Sequence, residues 1–266
     1  RGAKAPSFGY ARAHSSATAS RAAEGRSRHG YAEVAMIQVP FDYLKPRYQR
    51  GGRLRKAILE ALDEAMDSCQ FTLGPWTQKA EEAWAEACGT RYAVGLNSGT
   101  DAIFLALTAL GVSAGQKVLT SPITFPATVN AALHTGAAVG LVDIGEDFNM
   151  QRPHDIRTEK LVYLPVWWAG APGLQGQLMP RALHDVTVED ACQAIGASVD
   201  GRPAGSLGIA SAFSLHPQKN INAIGDGGFV TTSDQGLAEE VRLLRNHGLA
   251  DRNTVAKPGW NSRLDL

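Results

Sequence analysis

From residue 52 onward, apolar and polar positions run in blocks whose period switches between that of a helix and that of a strand. Over 52–68, GRLRKAILEALDEAMDS sets Leu54, Ile58, Ala61, Leu62 and Ala65 on one helical face, the three-to-four spacing of an amphipathic helix. Phe71-Thr-Leu-Gly-Pro75 breaks that helix, and a second is expected over 78–88. Short apolar runs bounded by Gly, Pro or charge predict strands over 93–96, 118–120, 138–142, 161–166, 186–189, 210–214 and 228–232. Helical periods fall between them over 100–110, 127–134 and 237–246. Helix alternating with strand predicts an α/β domain with a mainly parallel mixed sheet flanked by helices. In such sheets ligands bind beyond the carboxyl ends of the strands, where strand ends feed helix starts.

Residues 1–35 do not share this pattern. They are rich in Ala, Ser, Arg and Gly, and Glu24 and Glu33 are their only acids. Such a segment buries too little apolar surface to offset its ordering entropy. It reads as a disordered leader, with the composition of an organelle transit peptide, or as upstream sequence translated ahead of Met36. Residues 36–266 read as one domain. Lys plus Arg and Asp plus Glu balance at 26 each, so no global field draws the chain to nucleic acid or to an anionic membrane. No apolar run reaches the length of a bilayer span. The cysteines Cys69, Cys88 and Cys192 show no metal-ligand spacing, which fits a reduced, cytoplasmic setting without a zinc site.

Candidate chemistry clusters at strand-to-helix junctions. Asn97-Ser98-Gly99-Thr100-Asp101 follows one strand and opens an apolar helix. Its hydroxyls, its glycine and the helix N-terminus suit a phosphate, although Ser-Gly-Thr is equally an ordinary helix cap. Thr124-Phe125-Pro126-Ala127-Thr128 stands at the next junction, where Phe125 either stacks on a flat ring or joins the core. Asp190, in Val188-Glu189-Asp190-Ala191-Cys192-Gln193, closes a β-rich run. Its carboxylate either keeps a pyridine nitrogen protonated, with Gln193 near a ring hydroxyl, or caps a helix. Lys219, in Phe213-Ser214-Leu215-His216-Pro217-Gln218-Lys219-Asn220, occupies a short loop between two apolar strands. It is a candidate nucleophile if kept partly out of water, and a plain surface lysine otherwise. Arg245-Asn246-His247-Gly248 and Gly259-Trp260-Asn261-Ser262-Arg263-Leu264-Asp265 follow as loop segments.

Taken in this order, these segments, with Val142-Asp143 and Asp147-Phe-Asn-Met150, resemble the DegT/DnrJ/EryC1/StrS family of pyridoxal-phosphate-dependent sugar aminotransferases. The resemblance implies the fold-type I aminotransferase large domain and pyridoxal 5'-phosphate as cofactor. It makes Lys219 the lysine that forms the Schiff base with the cofactor and shuttles a proton, and Asp190 the pyridinium partner. It places Gln193 near the ring hydroxyl and Phe125 on the ring face. Ser98, Gly99, Thr100 and Ser214 become the phosphate cradle. Asn261, with Arg263, would reach the cofactor phosphate of a neighbouring subunit, which implies a homodimer with shared active sites. The reaction implied is transfer of an amino group from an amino acid, glutamate, to a nucleotide-linked keto sugar in polysaccharide or antibiotic biosynthesis. A family branch with histidine in place of the lysine performs dehydration, so Lys219 favours transamination. Against a desulfurase, no loop offers a catalytic cysteine. In Val166-Trp167-Trp168-Ala169-Gly170 a Trp stands where many members have His, which removes a titratable group near the site. A smaller C-terminal domain would follow in the family, so the chain reads as a truncated large domain with exposed apolar surface and poor solubility.

Overall fold

The structure is a computed structural model that describes residues 43–151, 160–173 and 181–265. The expected leader and the start at Met36 lie outside the described residues.

Strand-forming runs of Val, Leu, Ala and Phe build β1 (Tyr92–Leu96), β2 (Lys117–Thr120), β3 (Ala138–Leu141), β4 (Leu161–Leu164), β5 (Val188–Asp190), β6 (Ala210–Ser214) and β7 (Gly228–Thr232). One group of four pairs in the order β1-β7-β6-β5, and β3-β2-β4 form a second group. Parallel bridges from Tyr163 to Thr187 and from Val166 to Asp190 join the two groups edge to edge. The strand order is therefore 3-2-4-5-6-7-1. Strand β7 runs antiparallel to both β1 and β6, and the other pairings among these seven strands are parallel. The expected mainly parallel mixed sheet is what forms.

The helices are α1 (Leu44–Arg47), α2 (Arg53–Ser68), α3 (Pro75–Cys88), α4 (Gly99–Ala109), α5 (Pro126–His134) and α6 (Gln235–Leu244). Helix α4 packs on β6 and β7 and touches α5 and α6. Its residues 102–107 are all buried, and they share one core with Val94, Leu96, Val118, Leu164, Val188, Ala212, Val230 and Val241. A second core covers the opposite face of the sheet, where Trp84 of α3 stacks on Phe229 at 4.6 Å and meets Phe213 edge-on at 5.7 Å. Neighbouring residues divide between the two cores, Ala212 from Phe213 and Val230 from Phe229, as the two-residue period of a strand dictates.

Three local readings change. The strand expected from residue 186 begins at Val188, because 181–186 coil into a 3-10 turn whose end is tied by Thr187 Oγ1 donating to Leu183 O at 2.7 Å. Asp190 thereby becomes the last residue of β5 rather than the first after it. Helix α2 forms where its period predicts, yet only Ala65 is buried and Leu54, Leu62 and Met66 stay exposed. Two short hairpins, Ser198–Val199 with Arg202–Pro203 and Leu249–Asp251 with Thr254–Val255, have too few residues to carry a periodic signal.

Candidate active site

One cavity of about 640 Å³ opens where β5, β6, α4 and α5 meet, and Ser98, Gly99, Thr100, Phe125, Asp190, Gln193, Ser214 and Lys219 all line it. That volume falls within the usual range for small-molecule sites. Eight of the nine residues proposed from sequence therefore converge, drawn from five separate stretches of chain. Asn261 does not join them. It is exposed, and it pairs with Asn246 in an isolated bridge.

A corner suited to an anion is built at the start of α4. Ser98 is the N-cap and its Oγ accepts the Asp101 N–H at 3.1 Å, so the capping reading is correct. It does not exclude a ligand, because a hydroxyl that accepts one bond still has its own proton to donate. Ser214 is in the same state, accepting the His216 N–H at 3.2 Å. The Gly99 and Thr100 N–H groups belong to the first turn, which a helix leaves without internal partners and with a positive dipole end. A Cβ on Gly99 would lie 2.6 Å from Ser214 Cβ, so glycine is what lets β6 approach this turn.

The floor of the cavity is Asp190, 5% exposed. Its Oδ1 accepts the Cys192 N–H at 3.2 Å and its Oδ2 accepts the Thr128 hydroxyl at 2.6 Å. Burial first, then the Asp190 carboxylate, push the Cys192 thiol well above the ordinary thiol range, with the charge of Lys219 acting against them. Cys192 is thus a neutral packing group between the two charged residues. Gln193 turns its Oε1 to the Ala169 N–H at 3.0 Å, which leaves its NH₂ as a donor. Phe125 is the N-cap of α5, ahead of Pro126 at the first helical position, and its ring is 66% exposed. An aromatic face so open at a cavity wall is available for stacking.

Lys219 sits on a loop tied at its base by Leu215 N–H to Gly227 O and by Ala223 N–H to Leu215 O, both 2.8 Å. The Lys219 N–H closes a tight turn on His216 O at 2.8 Å. From outside the cavity, Tyr43 Oη contacts Pro217 O and Lys219 O at 3.2 Å each, and Asn222 Nδ2 donates to Tyr48 Oη at 2.7 Å. The amine is therefore carried by a buttressed loop.

Thr128, His216, Gln218, Asn220 and Asp226 line the cavity as well, and sequence reasoning gave none of them a role of its own. Trp167 needs a correction. Val166 and Ala169 line the cavity, whereas Trp167 is buried in the second core and gives its indole N–H to Glu189 Oε2 at 2.8 Å. The side chain at 167 therefore belongs to the core behind the site.

The residues present fit a flat, phosphorylated heteroaromatic ring with a basic nitrogen and a hydroxyl. Hydroxyls and a helix N-terminus could take an anion, Asp190 a protonated ring nitrogen, Gln193 NH₂ a ring oxygen, Phe125 a ring face, and Lys219 an electrophilic carbon. Among the described residues no group of His, Cys, Asp and Glu is arranged to hold a metal ion.

The profile of the DegT/DnrJ/EryC1/StrS aminotransferase family matches residues 53–266. The chain is 39% identical over 238 residues to the dTDP-3-amino-3,4,6-trideoxy-alpha-D-glucose transaminase of Streptomyces venezuelae, covering 86% of this chain and 61% of that protein. The crystal structure of S. venezuelae DesV in complex with a ketimine intermediate superposes with a TM-score of 0.75 at 37% identity, covering 86% of this chain and 63% of the other. Bacillus subtilis NtdA with bound cofactor PMP gives a TM-score of 0.74 at 28% identity, over 88% of this chain and 55% of the other. The chain spans between 52% and 63% of the length of the curated relatives compared. On the match of family profile, sequence and fold, the chain belongs to the DegT/DnrJ/EryC1/StrS aminotransferase family.

Proposed function

We propose that this chain forms the cofactor-binding part of a pyridoxal 5'-phosphate-dependent aminotransferase that moves an amino group from glutamate to a nucleotide-linked keto sugar. The observation that carries the proposal is the convergence, in one cavity, of an amine on a buttressed loop, a braced carboxylate, an open aromatic face and a hydroxyl-lined helix N-terminus. The nucleotide-sugar part takes its support from the relative in S. venezuelae, named for a dTDP-linked sugar.

When bound, pyridoxal phosphate supplies an electron sink for the carbon that loses its proton. Ser98, Thr100, Ser214 and the α4 N-terminus hold its phosphate. Phe125 fixes the ring plane and keeps water from that face. Asp190 keeps a proton on the ring nitrogen, and Gln193 donates to the ring oxygen. Lys219 Nζ anchors the cofactor and then carries a proton to and from the substrate carbon.

We place the enzyme in the cytoplasm as a homodimer, in which Asn261 and Arg263 reach the partner's cofactor phosphate. Exposure of Asn261 outside its own chain's cavity supports this arrangement. Purified chain loaded with pyridoxal phosphate and mixed with glutamate is expected to release one equivalent of 2-oxoglutarate, and Lys219→Ala none. Cofactor held by Lys219 without release of 2-oxoglutarate would point instead to a non-catalytic relative that binds the cofactor.

A further inference from the structure

Three side-chain oxygens form a chain of close contacts in the cavity wall. Thr124 Oγ1 lies 2.6 Å from Thr128 Oγ1, which lies 2.6 Å from Asp190 Oδ2. Thr124 stands just ahead of the α5 N-cap Phe125 and Thr128 is the third residue of the helix, so the entry of the chain into α5 brings the two hydroxyls together. Thr128 is 1% exposed. Each hydroxyl has one proton to give and a carboxylate has none. Thr128 therefore spends its proton on Asp190, and Thr124 spends its own on Thr128. The other carboxylate oxygen receives the Cys192 N–H at 3.2 Å. Every donor in this set is neutral. These bonds fix the carboxylate in orientation without pairing it with a cation. Phe125 belongs to the same turn, its carbonyl accepting the Thr128 N–H at 3.1 Å. One helix start thus presents the stacking ring and braces the acid.

Resting on the proposed function, we propose that Thr124 and Thr128 form a positioning relay that aims Asp190 at the cofactor ring nitrogen and so keeps that nitrogen protonated. Thr128→Val keeps the shape of the side chain but removes the donor to Asp190 and strands the Thr124 proton. Thr128→Ser keeps the hydroxyl.

The test uses the whole chain, pyridoxal phosphate labelled with ¹⁵N in the ring, and two readouts. These are the ring-nitrogen resonance of the bound cofactor and its dissociation constant by absorbance titration. Wild type and Thr128→Ser are expected to show a pyridinium resonance. Thr128→Val is expected to move it toward neutral pyridine and to weaken binding about tenfold, the effect of losing one hydrogen bond to a charged group. A merely structural role would leave the resonance unmoved. An unchanged resonance and affinity in Thr128→Val, or failure of Ser to restore them, overturns the relay. If Thr128→Val does not fold, Thr124→Val removes only the outer donor and is expected to shift the resonance in the same direction by less. An unmoved resonance there overturns the relay equally. A wild-type chain that binds no cofactor overturns both the relay and the function it rests on, whereas a normal wild type with an unaffected Val variant overturns the relay alone.

Discussion

At Gly99 an added methyl would meet Ser214 Cβ at 2.6 Å, Cys192 Sγ at 3.0 Å and Ser214 Cα at 3.1 Å, distances that a close-packed interior does not accommodate without movement. Gly99→Ala must push β6 away from the start of α4 and open this corner of the cavity. We expect cofactor affinity to fall by about tenfold or more, an overpacking cost of ~1–3 kcal/mol. Equilibrium dialysis with pyridoxal phosphate, alongside thermal unfolding, checks this. Ser98, Gly99, Phe125, Asp190 and Lys219 are legible as candidates because each is a chemically apt residue type where a strand gives way to a loop or a helix. Thr128 is not, since a Thr in the third position of a helix looks like any buried β-branched residue. Only the 2.6 Å contact with Asp190, 62 residues away in sequence, reveals it.

Within β5, two adjacent carboxylates are sent to opposite faces by the pleat. Asp190 faces the cavity. Glu189, 1% exposed, faces the second core, where it accepts Leu207 N–H at 2.8 Å, Gly208 N–H at 3.0 Å, Ser211 Oγ at 2.6 Å and Trp167 Nε1 at 2.8 Å. All four are donors, so an acceptor-only carboxylate suits the position and an amide does not. Glu189→Gln sets an NH₂ against at least one of them, and is expected to lower stability by about 2 kcal/mol, read as a lower urea midpoint. The sheet that positions Asp190 would loosen with it. The existence of β5 is legible in its apolar run, but its start is not. The 3-10 turn over 181–186 is held by local bonds that give no period. Likewise the apolar stripe of α2 is legible while its surroundings are not. Leu59 and Leu62 line an apolar groove of about 450 Å³ with Pro217 and Ile224, on the outer side of the Lys219 loop.

Over the whole molecule, the strand order 3-2-4-5-6-7-1 brings residues 98, 125, 190, 214 and 219 to one rim. The alternation of helix and strand announces an α/β sheet, and junction motifs in a fixed order announce the family. The order itself rests on pairings such as β1 with β7, more than 130 residues apart, which no local pattern encodes. The reversed direction of β7 is equally silent in sequence. What this arrangement is for is tested most directly at Lys219. The whole chain is incubated with pyridoxal phosphate, reduced with borohydride, digested and analysed by peptide mass. We expect a single phosphopyridoxyl group on Lys219, which Lys219→Ala abolishes. A chain left unmodified, or modified at other lysines alike in wild type and variant, would contradict the account of this cavity as a pyridoxal phosphate site.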